Sequence, residues 1–86
     1  MPIRIVLCVN KSLKDYNKIE RLYAQPYAYS ESKEKIRDLL QDVKELIPVE
    51  STSKAAFLAS RDPQGAALCS EFAAKLYGLK VIMRDV

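Results

Sequence analysis

Hydroxyl side chains in this chain gather where helices are about to begin: Ser30 and Ser32 before one periodic segment, Ser51, Thr52 and Ser53 before a second, Ser70 before a third. At an N-cap such residues accept hydrogen bonds from the first backbone N–H groups of the helix. Those helix ends also carry unpaired amides and about half a positive charge. Several of them converging on one sheet edge can therefore hold carboxylates. Two readings stand side by side at this point: each hydroxyl only caps its own helix, or together they frame an anion site.

Other residue types narrow the chemistry. Tyr23, Tyr27 and Tyr29 cluster around Pro26, either as a rim for a ring-shaped ligand or as packing around a turn, since tyrosine joins an apolar body to a polar tip. Glu71 and Asp85 are lone carboxylates with no partner in the sequence, so neither is assigned an acid–base role. The chain has no histidine, which removes His-based nucleophilic or general-base mechanisms. Its two cysteines, Cys8 and Cys69, lie far apart within apolar runs and read as small buried hydrophobes in a reducing compartment. Nothing in the sequence supports pairing them, and with no histidine a zinc site is not expected. Gly65 and Gly78 are too few and too far apart for a phosphate-binding loop. No metal and no cofactor is expected.

The hydroxyls need elements to carry them. Ile3 to Val9 is apolar and β-branched beyond Arg4 and reads as a strand covered on both faces. Asn10 to Asn17 is polar, with turn formers and a short helical turn near Asp15. Leu22 to Ala24 reads as a second short strand, closed by Pro26, which cannot continue a central ladder. From Ser30 the period changes. Ile36, Leu39, Leu40 and Val43 fall at i, i+3, i+4 and i+7, with Glu34, Lys35, Arg37, Asp38, Gln41 and Asp42 on the other face. This is the clearest helix of the chain, with Ser30 or Ser32 as its cap and Glu31 with Lys35 as a favourable pair.

Leu46 to Glu50, limited by Pro48, reads as a strand, after which Ser51 or Thr52 caps a helix through Ala59 that Asp62-Pro63 ends. Gly65 to Leu68 reads as a strand by its position. Ser70 then caps a helix from Glu71 to Tyr77, with Phe72, Ala73, Leu76 and Tyr77 as its buried stripe. Gly78 is a good residue just past that helix, and Leu79 to Met83 is the last strand. This alternation predicts an α/β fold: a single three-layer α/β/α lobe over residues 1–86, with a mostly parallel sheet of about five strands. In such sheets ligands bind beyond the carboxyl ends of the strands, where the capped helix starts would lie.

Composition sets the outer limits. Eighty-six residues, 49% apolar and 29% charged, suit one small globular domain. Apolar runs such as Ile5 to Val9 are far short of the roughly 20 residues of a membrane span, so neither a span nor a signal peptide is expected. The net charge of +3 is mild. Its densest basic stretch, Lys11, Lys14, Lys18 and Arg21, reads as a solvated face, with no RNA-reading motif beside it. Nucleic acid and membrane are not expected partners.

The segment from Ile47 to Ile82 resembles the second lobe of prephenate dehydratase. In that family a strand leads into S-T-A-x-A-A and later into A-A-I-A-S-x-x-A-A-x-x-Y-G-L. Here those stretches read Ser51-Thr52-Ser53-Lys54-Ala55-Ala56 and Ala66-Ala67-Leu68-Cys69-Ser70-Glu71-Phe72-Ala73-Ala74-Lys75-Leu76-Tyr77-Gly78-Leu79. Upstream, the family's I-x-x-V-Y-S-H-P-Q, with Q-C four residues on, falls on Ile19 to Tyr27 and then Glu31-Ser32. Tyr23 and Pro26 are kept, while the serine has become Ala24, the histidine Gln25, and the glutamines Tyr27 and Glu31.

The resemblance implies a lobe like half of a type II periplasmic-binding fold, in the cytoplasm, with a cleft for a dicarboxylate. The implied reaction is loss of water and CO2 from prephenate to give phenylpyruvate, in phenylalanine biosynthesis. The family's first lobe would precede Met1, and its T-R-F motif, whose threonine is taken as the acid, would follow Val86. The resemblance thus implies substrate-binding residues Ser51, Thr52 and Ser70, with Tyr23 and Glu31 as further cleft candidates, and no catalytic residue within the chain. It also implies inactivity alone and a complementary lobe as partner. The alternatives are a metabolite-binding or regulatory module without chemistry, and an interaction domain that pairs as a homodimer.

Overall fold

The computed structural model describes residues 4–15, 18–41 and 43–84. Ile3, Asn17, Asp42 and Asp85, and the side chains of Leu39 and Leu40, lie outside that description. Five strands form one sheet: β1 (Ile5–Val9), β2 (Arg21–Ala24), β3 (Glu45–Pro48), β4 (Gly65–Ser70) and β5 (Lys80–Met83). Their order is β3-β2-β4-β1-β5. β2 pairs in parallel with β3 and β4, and β1 pairs antiparallel with β4 and β5. β2 to β5 therefore share one direction and β1 opposes them, so the sheet is mixed.

Alternation along the strands divides the core. Val6, Cys8, Ala67 and Cys69 face α2 (Thr52–Ser60) and α3 (Glu71–Leu76), meeting Ala55, Ala56, Ala59, Ala73 and Ala74. Leu7, Val9, Leu22, Ala24, Ala66 and Leu68 face the other way, against Leu13, Ile19 and Ile36. The first face is built of small residues, so its two helices lie close on the sheet; the second is filled by branched side chains. The three-layer α/β/α lobe is the observed architecture. Among the described residues no helix is long and apolar enough to cross a membrane.

Two expected elements are corrected. The helix expected from Ser30 begins earlier, as α1 (Pro26–Ser32), and is capped by Gln25, whose Oε1 accepts from the Ala28 N–H at 2.9 Å. Proline suits the first helical position, where its missing N–H costs nothing. The helix then stops. The Ser32 carbonyl accepts from both Lys35 N and Ile36 N, at 3.0 and 3.3 Å, and the chain continues as a 3-10 turn over Arg37–Leu40. Ile36 is wholly buried on the sheet, so the periodic stripe is spent on a tertiary contact and not on a continuous helix. Ser30 and Ser32 consequently cap nothing.

The second correction concerns α3. Phe72 is 75% and Leu76 64% exposed, while Ala73 and Ala74 are buried. Less than two turns long, α3 rests on the sheet through Ala73 and Ala74. The predicted stops hold. Gly78, at φ 69°, follows the helix and lets the Leu79 N–H reach the Ala74 carbonyl at 2.8 Å.

Candidate functional site

The parallel strands β2, β3 and β4 bring three helix starts to one edge of the sheet. Gln25 directly follows β2, Ser51 lies three residues past the end of β3, and Ser70 closes β4. Ser51 Oγ accepts from the Lys54 N–H at 3.1 Å and Ser70 Oγ from the Ala73 N–H at 3.1 Å. By helix geometry the amides of the first turn that the cap does not reach have no acceptor within their own helix. The Thr52 and Ser53 N–H groups of α2 are of this kind.

Beside Ser51 lies an open cleft of about 530 Å³, lined by Glu50, Ser51, Ser53, Lys54, Phe57 and Tyr77. Its aromatic wall is the Phe57–Tyr77 pair, edge to face with centroids 5.9 Å apart. Lys54 Nζ stands 5.7 Å and Arg61 Cζ 5.3 Å from the centre of the Phe57 ring. Lys54, the Ser51 and Ser53 hydroxyls and the Phe57–Tyr77 wall line this one surface, groups chemically suited to a carboxylated ring, whereas Arg61 caps the far end of α2, toward the opposite edge.

The sequence-derived candidates separate in space. Ser51, Thr52 and Ser70 are at this carboxyl edge, where Ser51 is exposed and the other two are half-buried. Tyr23 is turned the other way: its hydroxyl donates to Asp62 Oδ2 at 2.9 Å, below the amino end of β4. Glu31 lies on the exposed side of α1, one turn from Tyr27. The Glu31 carboxylate, chiefly, makes the Tyr27 hydroxyl hold its proton more tightly than a free phenol. The tyrosine cluster is thus neither a common rim nor a common packing unit.

At the opposite edge Arg21, Tyr23 and Asp62 form a closed polar knot. Arg21 grips the carboxylate with two nitrogens, Nε on Oδ2 and Nη2 on Oδ1, the latter at 2.8 Å. The Gln64 N–H donates to Oδ1 at 3.1 Å. The Arg21 bonds, chiefly, hold the Asp62 carboxyl at about 2. Burial, chiefly, with the hydrogen bond to Asp62, pushes the Tyr23 phenol up. Gly65 packs tightly here: a Cβ would lie 3.0 Å from Asp62 Cβ and 3.1 Å from Tyr23 Cε2, so both side chains would have to give by a few tenths of an ångström. Asn10 seals the same edge: Nδ2 donates to the Ala59 and Ser60 carbonyls and Oδ1 accepts from the Ser12 N–H.

Sequence reading missed Arg21–Asp62–Tyr23, because partners 41 residues apart leave no local signal. It also missed Phe57, although Lys54 three residues earlier placed a cation on the same helix face. Among the described residues no group of three His, Cys, Asp or Glu side chains is placed to hold a metal.

A helix-capped α/β lobe of this kind has relatives. The profile of the family described as prephenate dehydratase matches residues 1–86, and the chain belongs to that family. The prephenate dehydratase of Arthrobacter aurescens, solved in complex with L-Phe, superposes with a TM-score of 0.84 at 25% identity. The prephenate dehydratase of Staphylococcus aureus subsp. aureus Mu50 gives 0.72 at 21% identity, and GqqA, described as a novel type of quorum quenching acylase, gives 0.82 at 22%. Each match covers 100% of this chain but only 29%, 30% and 31% of those chains, in that order. The chain thus spans about a third of the length of these relatives. No curated protein matches it.

Proposed function

We propose that this chain is the half-site of a prephenate dehydratase-like cleft, binding a carboxylate-bearing ring such as prephenate at the carboxyl edge of its sheet. The observation that carries the reading is the juxtaposition of the Ser51-capped α2 start, Lys54 and the Phe57–Tyr77 wall in a chain of this family. A carboxylate fits the Thr52 and Ser53 amides and the Lys54 ammonium, and a ring fits Phe57. Ser70 offers a second helix start at the same edge of the sheet. This is electrostatic positioning of charge that the reaction retains or releases.

The reaction converts prephenate to phenylpyruvate, CO2 and water, and it consumes one proton at the departing hydroxyl. Aromatisation supplies the driving force, so the protein's task is to orient two carboxylates and provide an acid. Asp62, held ionised by Arg21, cannot be that acid, and Gln25, where the family has histidine, is committed to capping α1. We assign the acid and the opposite wall of the cleft to a complementary lobe. The test is to follow phenylpyruvate formation from prephenate with the chain alone, then with a separately produced first lobe. Turnover is expected only in the second case, and turnover in neither sinks the enzymatic version.

The spent Gln25 and the exposed Glu31 beside Tyr27 favour a second reading, a metabolite-binding module without chemistry. Thermal shift with prephenate, phenylpyruvate and phenylalanine separates the two. A shift with any of these, with no turnover in the complemented assay, selects the module; no shift with any of them counts against both readings.

A further inference from the structure

The strands β1 and β4 carry a pair of thiols that the candidate site does not use. In the antiparallel register Cys8 lies opposite Ala67 and Cys69 opposite Val6, so the two cysteines are diagonal neighbours on one face of the sheet. Both are unbonded and buried, with Sγ atoms 3.0 Å apart, and Cys8 Sγ donates to the Ala67 carbonyl at 3.4 Å. They sit in the small-residue layer, walled by Ala55, Ala56, Ala59, Ala73 and Ala74. A disulfide needs its sulfurs about 2 Å apart, so the Sγ atoms have about 1 Å left to close between strands already hydrogen-bonded to each other.

We propose that Cys8 and Cys69 form an intramolecular cross-strand disulfide when the chain meets a low-molecular-weight disulfide oxidant, clamping β1 to β4. The exchange balances as two thiols plus one oxidised glutathione giving one protein disulfide and two reduced glutathiones. One cysteine thiolate attacks a glutathione sulfur and releases the first glutathione thiolate. The other cysteine thiolate then displaces the second, and the two thiol protons leave with the two products. In the folded chain the neighbouring thiol and burial push the Cys8 thiol far up. Both thiols are also buried away from any oxidant, so exchange proceeds through opening of the sheet or during folding. The clamp closes a loop between positions 61 residues apart, a length for which loss of chain entropy in the unfolded state is large. Cys69 also directly precedes Ser70, so the clamp fastens the strand end from which α3 starts.

The test is to refold the unmodified chain across a series of glutathione redox buffers, with a sample held in urea as the unfolded control. The expected product is a monomer about 2 Da lighter with no titratable thiol, formed at more reducing buffer ratios than in urea. Its melting temperature should rise by more than about 10 °C, and dithiothreitol should reverse the rise. Two titratable thiols persisting wherever the urea control has oxidised would overturn the proposal. So would products limited to glutathione adducts or cross-linked dimers, or an oxidised monomer that melts lower than the reduced one. Cys8→Ala and Cys69→Ala, each refolded in the same series, should show neither the mass loss nor the rise; a monomer mass loss in either would also overturn it.

Discussion

The two edges of the sheet handle polar groups in opposite ways. At the amino end of β4, Arg21, Tyr23, Asp62 and Asn10 bind one another and nearby backbone, and Asp62 is only 8% exposed. At the carboxyl edge the caps reach one amide each, and Ser51, Ser53 and Lys54 at the start of α2 line a cleft. A polar group that finds its partner within the chain contributes to stability, whereas a donor left facing solvent is available to a ligand. The edge with the strongest internal electrostatics is for this reason the structural one.

The largest effect that separates the edges is expected from Asp62→Ala. It strands Arg21, the Tyr23 hydroxyl and the Gln64 N–H together, and should lower the free energy of unfolding in urea by about 3 kcal/mol while ligand-induced thermal shift, measured on the folded fraction, is retained. Loss of that shift with stability intact would break the comparison.

Acid gives the next effect. The carboxyl of Asp62 is held below its ordinary value, so its contribution is present above the unfolded value near 3.8 and is lost as pH falls toward about 2. Urea unfolding from pH 5 downward should show about 2 kcal/mol lost through this window. Asp62→Asn should flatten that segment of the profile.

At the carboxyl edge, Ser51→Ala should cost about 1 kcal/mol as the loss of an N-cap. Ser51→Asp sharpens the distinction. Aspartate caps as well as serine and suits the helix start, so stability should be kept, while its negative charge should abolish the thermal shift with prephenate. If Ser51→Asp binds as the parent does, the α2 start is only a cap.

The buried Ser32 hydroxyl is the one buried side-chain polar atom without a partner among the described residues. Ser32→Ala should therefore raise stability by up to about 1 kcal/mol in urea. The smallest effect is expected at the exposed ring of α3, where Phe72→Ser should change stability by no more than about 0.5 kcal/mol.

Local chemistry made much of this legible in advance. The strand ending before Pro26, the Ser51 and Ser70 caps, the Asp62-Pro63 stop and the glycine at 78 each depend on a residue and its immediate neighbours, and all are present. The periodic stripe from Ile36 was misleading because a 3.6-residue pattern states which side chains want burial, not that one helix buries them all; Ile36 reaches the sheet from a turn. For α3 the error was one of face: Phe72 and Leu76 are the more apolar residues, but the helix meets Cys8, Ala67 and Cys69 through Ala73 and Ala74.

By itself, then, the amino-acid sequence determined the strand–helix alternation, the capped helix starts and the family, because these rest on short-range hydrogen bonding and on ordered motifs. Only the tertiary structure decided which hydroxyls share an edge, that Tyr23 turns to Asp62 and away from Ser51, and that the two thiols meet. Those outcomes depend on strand order and on the direction of β1, which pair residues some 40 to 60 positions apart, and no local preference encodes a contact at that separation.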